Sequence, residues 1–301
     1  MVSPRAIVWA GRACYRRPAA SERSGGLVTE GALAAESSEP LVLERVAEGV
    51  ATLQLNRPDK RNAMHRALSL ALQQAVACAD ADPAVAAIVL TGSPGNFCAG
   101  ADMTEALAAY AAHADGEKGE SGGALANPVG DAARRIQYSP KPTIAAVDGP
   151  AYGGGAVLAL ACDLRLVTER GRFRFPGAEN GLIVAPVALT RLVGPAVAKE
   201  LLFSSRTVEA EEAVRIGLAN RVVAADELDA ALAELTGPIV RSSAQAIGWL
   251  KRVVDAAASG NNARALEEEA DRMTRGSTDN LERFRAATER ITGRGTGGTS
   301  G

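Results

Sequence analysis

Two stretches of small residues stand where backbone N–H groups could act on an oxygen atom. The first is Gly153-Gly154-Gly155. It separates a short apolar run, Thr143–Val147, from an apolar helix expected over residues 154–162. The run is bounded by Pro142 and by Asp148-Gly149, which reads as a buried strand ending in a turn. Glycines at such a junction let a ligand approach the backbone, because no Cβ intervenes. The first N–H groups of the helix lack an intrahelical partner and lie at its positive end, so the junction suits an anion or an oxyanion. The second stretch, Cys98-Ala99-Gly100-Ala101-Asp102, follows a similar strand, Ala87–Thr91, and precedes a helix expected over residues 103–112. Asp102 is placed to cap that helix. Two such clusters in one domain could converge on one oxygen. Tight turns with close helix packing are the alternative reading of each.

The elements that must position these stretches follow from the apolar patterning. Residues 41–46 and 50–55 read as a hairpin turning at Glu48-Gly49. Asn62 is expected to cap a helix over 63–80, with Met64, Leu68, Leu72 and Val76 on its buried face. Residues 113–130 lack an apolar period and read as a mobile loop beside the site or a surface insertion. A short helix over 131–138 leads into the strand before the three glycines. Further strands are expected at Leu164–Thr168 and 172–175. From Pro186 the chain reads as helical, broken near Gly194, Thr207, Gly217, Gly237 and Gly260. This order suggests a repeated strand–strand–helix turn, an α/β arrangement.

The chain has 301 residues, 47% hydrophobic and 23% charged, enough for a sizeable core. A net charge of −2 gives no reason to expect nucleic acid or an acidic membrane as partner. No run approaches the roughly 20 apolar residues of a membrane span. Cys14, Cys78, Cys98 and Cys162 show no metal or redox spacing, so reduced thiols and a cytoplasmic location are expected. Residues 1–40 read as a disordered extension. Arg5, Arg12, Arg16 and Arg17, with no acid among the first twenty residues, leave an organelle transit peptide as the alternative. Residues 293–301 read as a disordered tail.

Asn96-Phe-Cys-Ala-Gly-Ala-Asp102, followed by Asp148-Gly-Pro-Ala-Tyr-Gly-Gly-Gly155, resembles the crotonase superfamily, the enoyl-CoA hydratases and isomerases. Leu55-Asn-Arg-Pro-Asp-Lys-Arg-Asn-Ala-Met64 is similar to its opening motif, and the stretch 194–223 to the helical segment after its core. The resemblance covers about 41–290. It implies a crotonase-like spiral of repeated ββα turns over 41–225, carrying an acyl-CoA site, and a C-terminal helical trimerisation region over 226–292. It implies a homotrimer or a dimer of trimers, and an acyl-CoA or enoyl-CoA substrate with coenzyme A as part of that substrate. No permanently bound cofactor or metal is expected.

By the same resemblance, the N–H groups of Ala101 and Gly154 form an oxyanion hole for the thioester carbonyl. The hydratases of the family use two glutamates, and here Val157 and Gly177, the latter after Pro176, stand at those positions. That casts doubt on ordinary hydration, which divides its proton work between two carboxylates. Glu179 and Tyr152 are the candidate substitutes. Lys60 and Arg61 are placed near the nucleotide phosphates, or are a solvated basic pair. Ala63, His65, Ala99, Gly100, Asp102, Met103 and Gly153 are expected to line the groove, and Lys251 matches a lysine common near the family's C-terminal region. Two functions follow: an acyl-CoA enzyme working through an enolate, or a catalytically silent acyl-CoA carrier.

Overall fold

A computed structural model describes residues 5–6, 39–114, 127–261 and 263–292. The hairpin forms as the patterning predicts. β2 (Val42–Ala47) and β3 (Val50–Leu55) pair antiparallel, and both turn residues, Glu48 and Gly49, take positive φ. β1 (Arg5–Ala6) pairs antiparallel with β2 at its outer edge. β4 (Ala87–Thr91), β5 (Thr143–Val147), β7 (Leu164–Thr168) and β10 (Arg221–Val223) continue the sheet in parallel from β3, giving seven strands in the order β1-β2-β3-β4-β5-β7-β10. A second sheet of three strands holds β6 (Pro150–Tyr152), β8 (Arg172–Arg174) and β9 (Val208–Glu209). Two successive turns, β5 with β6 and β7 with β8, place one strand in each sheet and then a helix. This is the ββα spiral of a crotonase-like α/β fold, with helices gathered at its C-terminal end.

Both faces of the main sheet are covered at β4 and β5, which is why those two strands read as apolar runs. Ile88, Leu90, Ala145 and Val147 face the main core with Leu53, Leu55, Leu68, Leu72 and Phe97. Ala87, Val89, Ile144 and Ala146 face the other way, against Leu228, Leu232, Leu235 and Ile239 of α7 (Leu228–Arg241). The helices before it are α1 (Arg66–Ala81), α2 (Met103–Ala114), α3 (Pro128–Gln137), α4 (Gly154–Ala161), α5 (Pro186–Ser204) and α6 (Ala210–Arg215). α8 (Ala244–Ala258), α9 (Ala263–Thr274) and α10 (Thr278–Thr292) complete the chain. Ile247, Trp249 and Val253 of α8 are half-buried and Leu250 is exposed.

Three sequence expectations need correction. Asn62 does not cap α1; His65 does, its Nδ1 accepting from Leu68 N at 3.4 Å. Asn62 is fully buried instead, in a left-handed conformation. Its Oδ1 accepts from Arg57 N at 2.8 Å, and its Nδ2 donates to Asn96 O, Ser93 Oγ and Phe97 O at 2.8, 3.1 and 3.2 Å. It thereby joins two loops that lie more than 30 residues apart. Asn62→Ala leaves several buried polar groups unpaired and puts alanine at positive φ, so thermal unfolding should show a loss of about 3 kcal/mol. The second correction concerns Gly237, which lies inside α7; the break comes at Ser242 and Ser243, where the Ser243 hydroxyl caps α8. The third is the predicted loop over 113–130. His113 belongs to α2, and Asn127 caps α3 through Gly130 N at 2.9 Å. The rest of that loop, 115–126, lies outside the described residues, as do most of the extension 1–40 and the tail 293–301.

Candidate functional site

The two glycine-bearing stretches meet. Cys98 N donates to Pro150 O at 2.9 Å and Tyr152 N donates to Cys98 O at 3.1 Å, so residues 98–100 run alongside β6. Gly153 takes a positive φ of 49° and donates to Arg174 O at 2.9 Å, which turns the chain sharply from β6 into α4. Gly100, at φ 112°, makes the matching turn on its own side. A methyl added to Gly100 would lie 3.5 Å from Gly154 N, and one added to Gly154 would lie 3.3 Å from Ala101 N. Among the described residues no backbone acceptor takes the N–H of Ala101 or of Gly154. Two adjacent, unengaged amides suit one oxygen that gains negative charge.

Residues 61–64 lie against the second stretch and bring further predicted positions to it. Ala99 N donates to Arg61 O at 2.9 Å, Met64 N to Gly100 O at 2.7 Å, and Asp102 N to Met64 O at 2.8 Å. Lys60, Arg61, Ala63 and His65 are thus lined up beside Ala99 to Met103, with Lys60, Arg61 and Met103 exposed. Pro176 lies across Gly153, 3.9 Å from the nearest point a Cβ there would occupy. Lys251 is not in this group. Its Nζ donates to Asp163 Oδ2 at 2.9 Å and Lys141 O at 3.2 Å, at the opposite end of α4, where it fastens α8 to the core.

The titratable groups near the amides have other partners. Asp102 caps α2 through Thr104 N at 3.1 Å and pairs with Arg57 Nη1 at 2.7 Å. The Arg57 hydrogen bond holds its carboxyl below the usual carboxylate range. Both oxygens of Glu179 accept from Arg174 Nη2, at 2.7 and 2.9 Å, on the exposed turn Ala178–Asn180. Tyr152 is half-buried in β6. Val157 packs against the main core. Gly177 is buried, and a Cβ there would meet Leu182 O at 2.7 Å and Val184 Cγ2 at 2.8 Å.

Burial, and then the charge of Arg57, holds His65 below the ordinary histidine value. As pH falls, the unfolded chain takes up this proton first. The stability that neutral His65 contributes is therefore full above about 6.5 and is lost as pH falls through the lower folded-state value. His65→Asn keeps a capping acceptor and removes the titration. Its denaturant midpoint, followed from about pH 7.5 down to 5, should fall less steeply than that of the wild type.

Sequence reasoning missed the groups that hold the two stretches in register. Arg57 bridges Ala63 O at 2.9 Å and Asp102. Asp148, read only as a turn residue, accepts from Gly95 N at 2.8 Å, Thr168 Oγ1 at 2.8 Å and Arg170 Nε at 2.9 Å. Burial pushes its carboxyl up, but these donors together hold it below the usual range. The signal available was an acid in an otherwise apolar strand end.

A two-sheet ββα spiral that sets two amide clusters face to face defines a class of proteins. Residues 45–290 match the enoyl-CoA hydratase/isomerase family profile, and the chain belongs to that family. It is 36% identical over 239 residues to the crotonyl-CoA hydratase of Syntrophomonas wolfei, covering 77% of this chain and 88% of that protein. It is 34% identical over 221 residues to the short-chain-enoyl-CoA hydratase of Clostridium acetobutylicum, covering 71% and 80%. The crystal structure of an enoyl-CoA hydratase from Bacillus anthracis superposes with a TM-score of 0.76 at 26% identity, covering 83% of this chain and 96% of that one. Among the described residues no cluster of three or more potential metal ligands occurs, and no helix is long and apolar enough to cross a membrane.

Proposed function

We propose that the protein binds an acyl-CoA thioester, with the thioester oxygen accepting from Ala101 N and Gly154 N, and stabilises the enolate formed there. The observation that carries this reading is the close approach of the two unengaged amides, with Gly154 opening a helix whose positive end faces the same space. Loss of an α-proton, or addition of water across a conjugated double bond, puts negative charge on that oxygen. Two fixed donors lower the barrier without reorganising. Lys60 and Arg61 supply exposed positive charge for the nucleotide phosphates, and residues 63–65 and 99–103 line the groove leading to it. The working unit is a homotrimer or a dimer of trimers, with α8 and its exposed Leu250 supplying apolar surface to a neighbour.

Val157 and Gly177 stand where the proton-transferring glutamates of a hydratase would be, so ordinary syn-hydration is not the reaction we assign. The packing around Gly177 supports this, because Leu182 O and Val184 occupy the space a longer side chain would need. Tyr152 and Glu179 are the two groups proposed to move the proton. The same packing favours a second reading, a catalytically silent acyl-CoA carrier. A panel of acyl- and enoyl-CoAs incubated with the protein in heavy water and read by mass spectrometry separates the two. Catalytic deuterium gain or mass change in one thioester establishes the enzyme, and its loss in Glu179→Gln or Tyr152→Phe assigns the proton carrier. Binding without any change establishes the carrier for that panel. Absence of binding to every thioester refutes both readings.

A further inference from the structure

Arg165 is a buried cation that the site described above does not use. It lies in β7 opposite Ala145 of β5 and is only 4% exposed. Its Nε donates to Leu218 O at 2.7 Å, and its Nη1 donates to Cys162 O at 2.7 Å and to Ala159 O at 3.3 Å. Its own N–H donates to Asn220 Oδ1 at 2.8 Å. No ion pair among the described residues includes it. The nearby acid, Asp163, is engaged by Lys251, Thr143 N and Thr143 Oγ1. A full positive charge inside the protein is therefore balanced mainly by main-chain carbonyls.

Two of those carbonyls, Ala159 O and Cys162 O, belong to the last turn and the C-cap of α4. The other end of the same helix opens at Gly154. Arg165 thus covers the negative end of the helix whose positive end faces the two amides. We infer that Arg165 is an electrostatic positioning residue for the anion formed at Ala101 and Gly154. Its guanidinium offsets the carbonyl end of α4 and leaves the amide end facing the ligand as the uncompensated one. This inference rests on the thioester reading given above.

The eight residues of α4 put this charge about 12 Å behind the amides. A unit charge at that distance, in an effective dielectric of about 20, favours an anion at the amides by about tenfold. A cation that merely capped the helix would change stability and leave that preference alone.

Acetoacetyl-CoA distinguishes these roles. Its central methylene gives a proton to solvent, the electron pair settles over the two carbonyl oxygens, and the resulting enolate absorbs in the near ultraviolet. The experiment titrates the bound ligand spectroscopically in the wild type, Arg165→Met and Arg165→Lys. It also measures their affinity for a thioether analogue of acyl-CoA, which lacks the carbonyl. The expected result is an apparent pKa of bound acetoacetyl-CoA raised by about one unit in Arg165→Met, mostly restored in Arg165→Lys, with thioether affinity unchanged. An unchanged pKa in Arg165→Met overturns the inference and leaves the thioester reading standing. Failure of the wild type to bind acetoacetyl-CoA, with no thioester bound in its place, overturns the thioester reading and this inference with it. If Arg165→Met does not fold, Asn220→Asp replaces it. Asn220 is exposed, and the substitution keeps an acceptor for Arg165 N while adding negative charge beside it. It should raise the pKa in the same direction by less, and no shift there overturns the inference.

Discussion

Gly154→Ala should lower thioester turnover, or thioester affinity if the protein is a carrier, by about 10²–10³-fold while leaving the fold intact. The new methyl would lie 3.3 Å from Ala101 N and 2.9 Å from Val129 Cγ2, in the space between the two amides that the proposed thioester oxygen would enter. Gly154 does not have positive φ, and alanine is a good residue in the first turn of a helix. Val129 would meet the methyl with both of its own, at 2.9 and 3.1 Å, and this β-branched side chain must shift to admit it. A thermal melt should therefore move by the equivalent of about 1–2 kcal/mol, leaving the variant folded. Acyl-CoA titration and the melt belong in one experiment. Unchanged thioester binding together with unchanged turnover in a folded variant would remove Gly154 from the site.

Its neighbour should behave in the opposite way. A Cβ on Gly155 would lie 2.1 Å from Cys98 O and 2.8 Å from Cys98 C, far inside any real contact. Cys98 cannot withdraw, because its N–H is bonded to Pro150 O and its carbonyl to Tyr152 N. Gly155→Ala must then push α4 away from the strand junction, at a cost of about 3 kcal/mol or more. Chemical denaturation should show this loss. If the melt of Gly155→Ala matched the wild type, the close approach of α4 to Cys98 would be wrong. Of the paired variants, one tests the ligand and the other tests the scaffold, at consecutive positions.

The parts legible in the sequence were those governed by local rules. β4 and β5 announced themselves as short apolar runs closed by glycine, because both of their faces are covered. The hairpin turn at Glu48-Gly49 and the start of α4 at Gly154 are likewise set by neighbours in the chain. The misreadings arose where distant residues decide. Asn62 has the composition of a helix cap, yet its partners Ser93, Asn96 and Phe97 come from another loop, and they draw it into the interior. Asp148 looked like half of a turn pair until Gly95, Thr168 and Arg170 converged on it. Glycine weakens a helix and so predicts a break near Gly237, but burial of Leu232, Leu235 and Ile239 against the sheet carries α7 through it. Lys251 matches a lysine common near the family's C-terminal region, while only the folded chain shows that Asp163 claims it.

Donors made of main chain have a bearing on how such a protein can change over generations. Among point mutations only a change to proline deletes a peptide N–H group; otherwise it is lost only if the turn that aims it is altered, or if a side chain grows into the gap. On the reading proposed above, the substitutions most apt to end proton transfer fall on side chains such as Tyr152 or Glu179 and leave the grip on the carbonyl untouched. Retention of the ligand and conversion of the ligand are in that sense separately heritable. On that reading a descendant could forfeit the proposed reaction in one step and still sequester the same thioester, ready for a different acid or base to appear beside it.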